Sequence, residues 1–193
     1  MAAFVLGNGV SRQEISVDLM ISRGAVYGCN ALYRTHQPLA LVATDTKIAE
    51  EIQESGYALT NRFYTRRPLP GSGAQMIDQT YRGFSSGPVA LSIAAQDGNQ
   101  RMYLLGFDMG PVNHRFNNIY ADTPHYKPSV AEPTYTGNWI RQICQICQAF
   151  GDRQFIRVHG DTTAPIPEFA NIRNLAQMAI ADFVLRLNTG EDL

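Results

Sequence analysis

Phe4-Val-Leu-Gly-Asn-Gly-Val-Ser11 runs three apolar residues straight into a glycine turn, and the helix-compatible Arg12-Gln-Glu-Ile15 follows. Strand, turn and helix start together make a backbone cradle for an anion. Gly7 and Gly9 let the chain approach a phosphate closely, and a helix N-terminus supplies free N–H donors with a favourable dipole. Ser11 and Glu14 have S-x-x-E spacing, which predicts a capping box on a helix over about 13–21. Two glycines with no third do not make the dinucleotide fingerprint. Taken alone the turn also fits an ordinary strand-to-helix connection, because such turns favour Gly and Asn.

The rest of the chain repeats the arrangement. An apolar strand within 24–33 ends on Cys29-Asn30, and another over 38–45 ends on Asp45. A helix over 46–55 follows, with Ile48, Ala49 and Ile52 on one face, Glu50, Glu51 and Glu54 in water, and Gly56 as its stop. A fourth strand fits 58–64, and the Pro and Gly of 65–73 mark an exposed loop. Ser85 or Ser86 caps a helix reaching about Gln96, with Pro88 in its first turn. A strand over 101–108 ends on Asp108, a last strand over 154–159 ends on His159-Gly160, and a closing amphipathic helix runs over about 171–187.

Apolar strands alternating with amphipathic helices predict an α/β, three-layer, Rossmann-like domain. Its sheet is mostly parallel with helices on both faces, because parallel strands need crossovers long enough to hold a helix. In such sheets ligands bind beyond the carboxyl ends of the strands, where five polar tips would converge: Asn8-Gly9, Cys29-Asn30, Asp45, Asp108 and His159-Gly160. At 193 residues the chain suits a single domain over 1–193, with one long irregular stretch at about 109–136 rich in Asn, His, Tyr and Pro. A loop of that length in a compact domain is usually functional or mobile.

Composition narrows the function classes. A hydrophobic fraction of 45% against 17% charged residues describes a folded chain with a substantial core, and a net charge of −1 supplies no global attraction to nucleic acid or anionic membrane. Of the 16 cationic residues only Lys47 and Lys127 are lysines, a bias toward the bidentate binder of phosphate and carboxylate. No apolar run approaches the length of a membrane span, so a cytoplasmic location is the default expectation. Cys144 and Cys147 form a C-x-x-C inside a helical pattern over about 139–150, at the spacing of Ile140 and Ile143. With no second pair to complete a zinc site they read as core cysteines.

Four motifs in order, Gly7-Asn-Gly-Val-Ser11, Gly28-Cys-Asn30 with Tyr33, Ser85-Ser-Gly87 and Tyr103-Leu-Leu-Gly-Phe-Asp108, resemble those of the bacterial lipooligosaccharide sialyltransferases. The wider MptE-like superfamily, which includes archaeal 6-hydroxymethylpterin diphosphokinase, shows them too. The resemblance covers roughly residues 4–126. It implies that Gly7, Asn8, Gly9, Ser11 and Asn30, with Asp108 beside them, hold a nucleotide and that Ser85, Ser86 and Gly87 offer donors near it; His159, outside that span, is a further ligand candidate from its place at a strand end. It further implies a pair of tyrosines six apart that support the departing phosphate, which here are Tyr120 and Tyr126; Tyr120 also fits a purely loop-anchoring role. The family's histidine ahead of the last strand has no counterpart, since the chain reads Tyr135-Thr-Gly-Asn138 there. His125, in the long loop, is the substitute general base, with loop anchoring as its other reading.

The expected function is therefore nucleotide-sugar-dependent glycosyl transfer, with a nucleotide or nucleotide-sugar donor, a glycan or small-molecule acceptor and no covalent cofactor. A magnesium-dependent diphosphokinase is the alternative and would use Asp45 and Asp108 as the metal carboxylates. A non-catalytic nucleotide-binding module is a third. Nucleic-acid binding through Arg62, Arg66, Arg67 and Arg82 is disfavoured by the near-neutral charge.

Overall fold

The computed structural model describes residues 2–160, 163, 165–191 and 193. Eight strands, β1 (Ala2–Leu6), β2 (Ala25–Cys29), β3 (Ala40–Ala43), β4 (Phe63–Thr65), β5 (Gln75–Met76), β6 (Arg101–Leu105), β7 (Gln154–His159) and β8 (Leu175–Ala179), form one sheet. Its order is β5-β4-β3-β2-β1-β6-β7-β8, and every pairing is parallel. Six helices complete a three-layer Rossmann-like fold: α1 (Val17–Arg23), α2 (Thr46–Glu54), α3 (Ser86–Gln96), α4 (Gly137–Ala149), α5 (Pro167–Ala170) and α6 (Ile180–Thr189).

Strand periodicity builds the two cores. All five residues of β1 are buried, with Ala3 and Val5 in one apolar cluster and Ala2, Phe4 and Leu6 in the other. Helices α3, α4 and α5 cover the first face; α1, α2 and α6 cover the second. On the second face Phe183 of α6 closes on Phe4 and Tyr103 at 6.0 and 5.2 Å between ring centres. Cys147 is fully buried on α4 and burial pushes its thiol pKa up; Cys144 is half-buried, and both are free, in keeping with core cysteines. Among the described residues no helix is long and apolar enough to cross a membrane.

Four local expectations need correction. The closing helix does not begin near 171: Leu175–Ala179 is strand β8, paired with β7 along its length, and the helix starts at Ile180. The expected strand over 58–64 is a 3-10 turn at 57–59 followed by the short β4. The Ser11 capping box is not made. A 3-10 turn spans Val10–Arg12, the Ser11 hydroxyl bonds to Asp108, and α1 is capped by Ser16, whose side chain accepts from Leu19 N–H at 3.2 Å. The four arginines do not make one patch. Arg62 precedes β4 and Arg66 follows it, so they sit at opposite ends of that strand.

Arg62 is committed at the amino end of the sheet. Its guanidinium grips both oxygens of Asp97 at 2.8 and 3.1 Å, and Tyr27 donates to the same carboxylate at 2.8 Å. Burial pushes the Asp97 carboxyl upward, but the bonds from Arg62 and Tyr27 and the Arg62 charge outweigh it and hold it below the usual aspartate range. A depressed folded pKa contributes stability above the unfolded value, and that stability is lost as pH falls through the folded one. Asp97→Asn is thus expected to be less stable than wild type at neutral pH, with the gap closing on acidification below about pH 4. Thermal melts between those conditions test this, and a gap constant with pH refutes it.

Candidate functional site

Strand order reverses at β1. The chain steps outward through β2 to β5 on one side and through β6 to β8 on the other, so a crevice opens at the carboxyl ends of β1 and β6. A cavity of about 690 Å³ lies there, within the size range of nucleotide-sized ligands. Gly7, Asn8 and Gly9 after β1, Asn30 after β2, Asp45 after β3, Ser85, Ser86 and Gly87 at the start of α3, and Asp108 after β6 all line it. His125 and Tyr126 reach it from the long 109–136 loop. Ser11, Tyr120 and His159 do not line it.

Ser86 is the knot of the polar wall. It is buried, and its hydroxyl oxygen accepts from Thr44 N–H at 3.0 Å while it donates to Asn30 Oδ1 at 3.0 Å. That contact ties the start of α3 to the tips of β2 and β3. It also orients the Asn30 amide: the oxygen is taken, and the side-chain nitrogen has no partner among the described residues. Asn30 holds φ 54°, a left-handed conformation that Asn tolerates better than most residues. Asn8 mirrors it, with Oδ1 facing the Cys29 thiol at 3.5 Å and its backbone oxygen taken by Ile119 N–H at 2.9 Å. Burial pushes the Cys29 thiol up to about 12, so it stays protonated and able to donate.

Asp108 is a brace. One carboxylate oxygen accepts from the Ser11 hydroxyl; the other accepts from Ser11 N–H and Asn117 Nδ2, each at 3.1 Å. The expected magnesium pair therefore fits poorly. Asp108 would have to surrender those bonds, Asp45 is an isolated exposed carboxylate, and no metal-ready cluster of three His, Cys, Asp or Glu occurs among the described residues. Ser11 serves this brace and does not line the cavity. His159 lies at the tip of β7 with its ring against Gly160 O at 3.4 Å, outside the cavity.

No family model, curated protein or solved structure matches this chain.

The loop is long, yet it is knitted down. Asn117 bonds Val10 N–H at 2.9 Å and Gly110 O at 2.9 Å, and the Tyr126 hydroxyl accepts from Ala31 N–H at 3.2 Å. Tyr120 and Tyr126 stand 5.4 Å apart between ring centres. Tyr120 accepts from the buried Arg12 at 3.1 Å, so it is an anchor one layer below the wall that Tyr126 forms. His125 Nε2 lies 2.9 Å from Glu51 Oε2 on α2. Helical periodicity puts Glu51 in water; in the structure it is half-buried and bonded instead, because the loop folds back over α2.

Several wall residues carry no sequence motif. Lys47 stands in the first turn of α2, and Lys127 projects from the loop. Arg66 is held by the carbonyls of Arg82 and Phe84 at 2.8 Å each, with no carboxylate partner among the described residues. Set against the exposed Asp45 and an Asp108 hydrogen-bonded on both oxygens, these three cations leave the wall suited on balance to an anion. The chain's one tryptophan, Trp139 in the first turn of α4, forms part of the apolar side with Phe116 and Met109. Position after a strand tip is the available signal for Lys47; Arg66 is marked only as one of the four arginines weighed for nucleic acid, and nothing local marks Trp139.

Proposed function

We propose that this chain is a glycosyltransferase that takes its sugar from a nucleotide donor. The observation that carries the reading is convergence. Asn8, Asn30 and the Ser85–Gly87 helix start, distant in sequence, share one cavity with Tyr126 and His125, the groups that glycosyl transfer from a nucleotide would call on. The two asparagine amides suit a ribose or base, and Arg66, Lys47 and the α3 N–H groups suit the phosphate. In this reading Tyr126 supports the leaving phosphate and His125 is the acceptor-side base, both lining the same cavity. The likeness to sialyltransferase motifs points the same way and rests on those motifs alone.

Trp139 provides the test. Its fluorescence should change on titration with the productive member of a panel of cytidine, uridine and adenine nucleotides and their sugars, with and without magnesium. The same ligand should raise the melting temperature, since binding at about 100 times Kd adds roughly 2.7 kcal/mol. Asn30→Ala should weaken that ligand about tenfold by removing one oriented amide, worth roughly 1.4 kcal/mol. A panel with no response would remove the nucleotide reading. A response to ATP alone, and only with magnesium, would transfer the case to a diphosphokinase.

A further inference from the structure

The contact that needs explaining is the one between the loop and α2. Glu51 is gripped from three directions: Arg34 donates to it through Nε and Nη2 at 2.8–3.0 Å, Tyr33 donates its hydroxyl, and His125 Nε2 lies 2.9 Å away. Arg34 also reaches back to the loop, to Pro124 O at 3.3 Å and Thr123 Oγ1 at 3.4 Å. His125 itself sits at φ 72°, a left-handed conformation that a non-glycine residue holds only when its surroundings over-determine it. A loop needing simple anchorage has Arg34 for that; the histidine ring adds chemistry.

The chemistry follows from the carboxylate. Burial raises the Glu51 pKa, but hydrogen bonds from Tyr33 and Arg34 and the Arg34 charge outweigh it and keep the carboxyl below the usual glutamate range. Glu51 is therefore an anion and can only accept. A neutral His125 must then carry its proton on Nε2 and its lone pair on Nδ1, and Nδ1 has no partner among the described residues while the residue lines the cavity.

Resting on the transferase reading, we infer that Glu51 is a positioning residue that fixes His125 as the Nε2–H tautomer, and that the acceptor presents a hydroxyl to Nδ1. The acceptor oxygen bonds to the anomeric carbon of the donor sugar as the bond from that carbon to the phosphate oxygen breaks. The electron pair leaves with the nucleotide phosphate. The hydroxyl proton passes to Nδ1, and the resulting imidazolium is stabilised by Glu51, which stays ionised. An acceptor that arrived already deprotonated would have no use for a ring held this way.

Ring-nitrogen NMR of the full-length protein tests the pairing without any ligand, with His125→Gln assigning the resonances. Wild type should show His125 with its proton on Nε2 at a pH where the ring is neutral. Glu51→Gln should give a mixture of tautomers, and Glu51→Asp should retain the wild-type form. A purely structural Glu51 would lower the melting temperature without moving the ring spectrum, and that result overturns the inference, as does an Nδ1–H ring in wild type. Release of CMP or UDP from the nucleotide sugar selected by Trp139 fluorescence gives the catalytic arm. Glu51→Gln should slow it at least about tenfold, and His125→Gln about 10²-fold, with donor affinity unchanged. Equal rates overturn the inference. Should no nucleotide sugar perturb Trp139, the transferase reading falls with its catalytic arm, while the ring spectrum still decides whether Glu51 sets the tautomer.

Discussion

Replacing Arg157 by Met is expected to lower the melting temperature by roughly 6–12 °C, the consequence of losing about 3 kcal/mol in a chain of this size. Arg157 is a central residue of β7 and only 1% exposed. Its guanidinium donates to the carbonyls of Phe107 and Asp108 at 2.9 Å each and to Gln177 Oε1 at 2.9 Å, and it lies 6.0 Å over the Phe169 ring. Met matches the aliphatic stem but leaves both carbonyls without that donor, at about 1–3 kcal/mol each. Part of this is recovered. Burial pulls the Arg157 pKa down, opposed by the Asp108 charge, so the site holds the cation at a cost that Met does not incur. The bonds win because two backbone carbonyls cannot turn elsewhere, whereas exposed Gln177 can reach water. Arg157→Lys should fall between, since one ammonium cannot reproduce the fork. A melting temperature for Arg157→Met within 2 °C or so of wild type would show that those carbonyls find other donors.

Arg157 also marks the limit of what the chain displays in its primary structure. A charge inside Phe155-Ile-Arg-Val158 was visible, but nothing local says that the carbonyls it serves belong to the tip of β6. Periodicity did reveal the alternation of strands and helices, because buried parallel strands are near-continuous apolar runs, and with it the gathering of Asn8, Asn30, Ser86 and Asp108 at one rim. It missed β8 for a physical reason. Leu175-Ala-Gln-Met-Ala179 is made of good helix formers, and its apolar spacing runs on into Phe183 and Leu187; pairing with β7 overrides that preference. Ser11 and Glu14 show the same conflict at smaller scale. Their spacing suits a capping box, but the Asp108 carboxylate competes for the hydroxyl and wins, leaving Glu14 exposed. Periodicity places Glu51 in solvent because it describes a helix against its own core and says nothing about a distant loop laid over its outer face.

The opening glycine turn carries the second large effect. Gly9 has φ −64° and ψ 147°, angles open to any residue, so backbone conformation does not demand glycine there. Space does. A Cβ at position 9 would lie 2.4 Å from both Cγ and Oδ2 of Asp108, and that carboxylate cannot swing aside without releasing Ser11 and Asn117. Gly9 N–H also bonds Gly106 O at 2.8 Å, which fixes the turn against the β6 tip. Gly9→Ala should therefore push the turn outward and carry Asn8 off the cavity wall. The expected outcome is a loss of about 1–3 kcal/mol in stability and, under the nucleotide reading, about 100-fold in affinity, equivalent to roughly 2.7 kcal/mol. Asp108→Ala removes the obstacle, and it destabilises the protein by itself because Ser11 and Asn117 lose their acceptor. In that background the added methyl meets no carboxylate, so the two changes should be strongly non-additive, with Gly9→Ala then costing under about 0.5 kcal/mol. Melting curves of the four proteins complete the cycle with no ligand required, and equal penalties in both backgrounds would mean that the carboxylate is not what Gly9 makes room for.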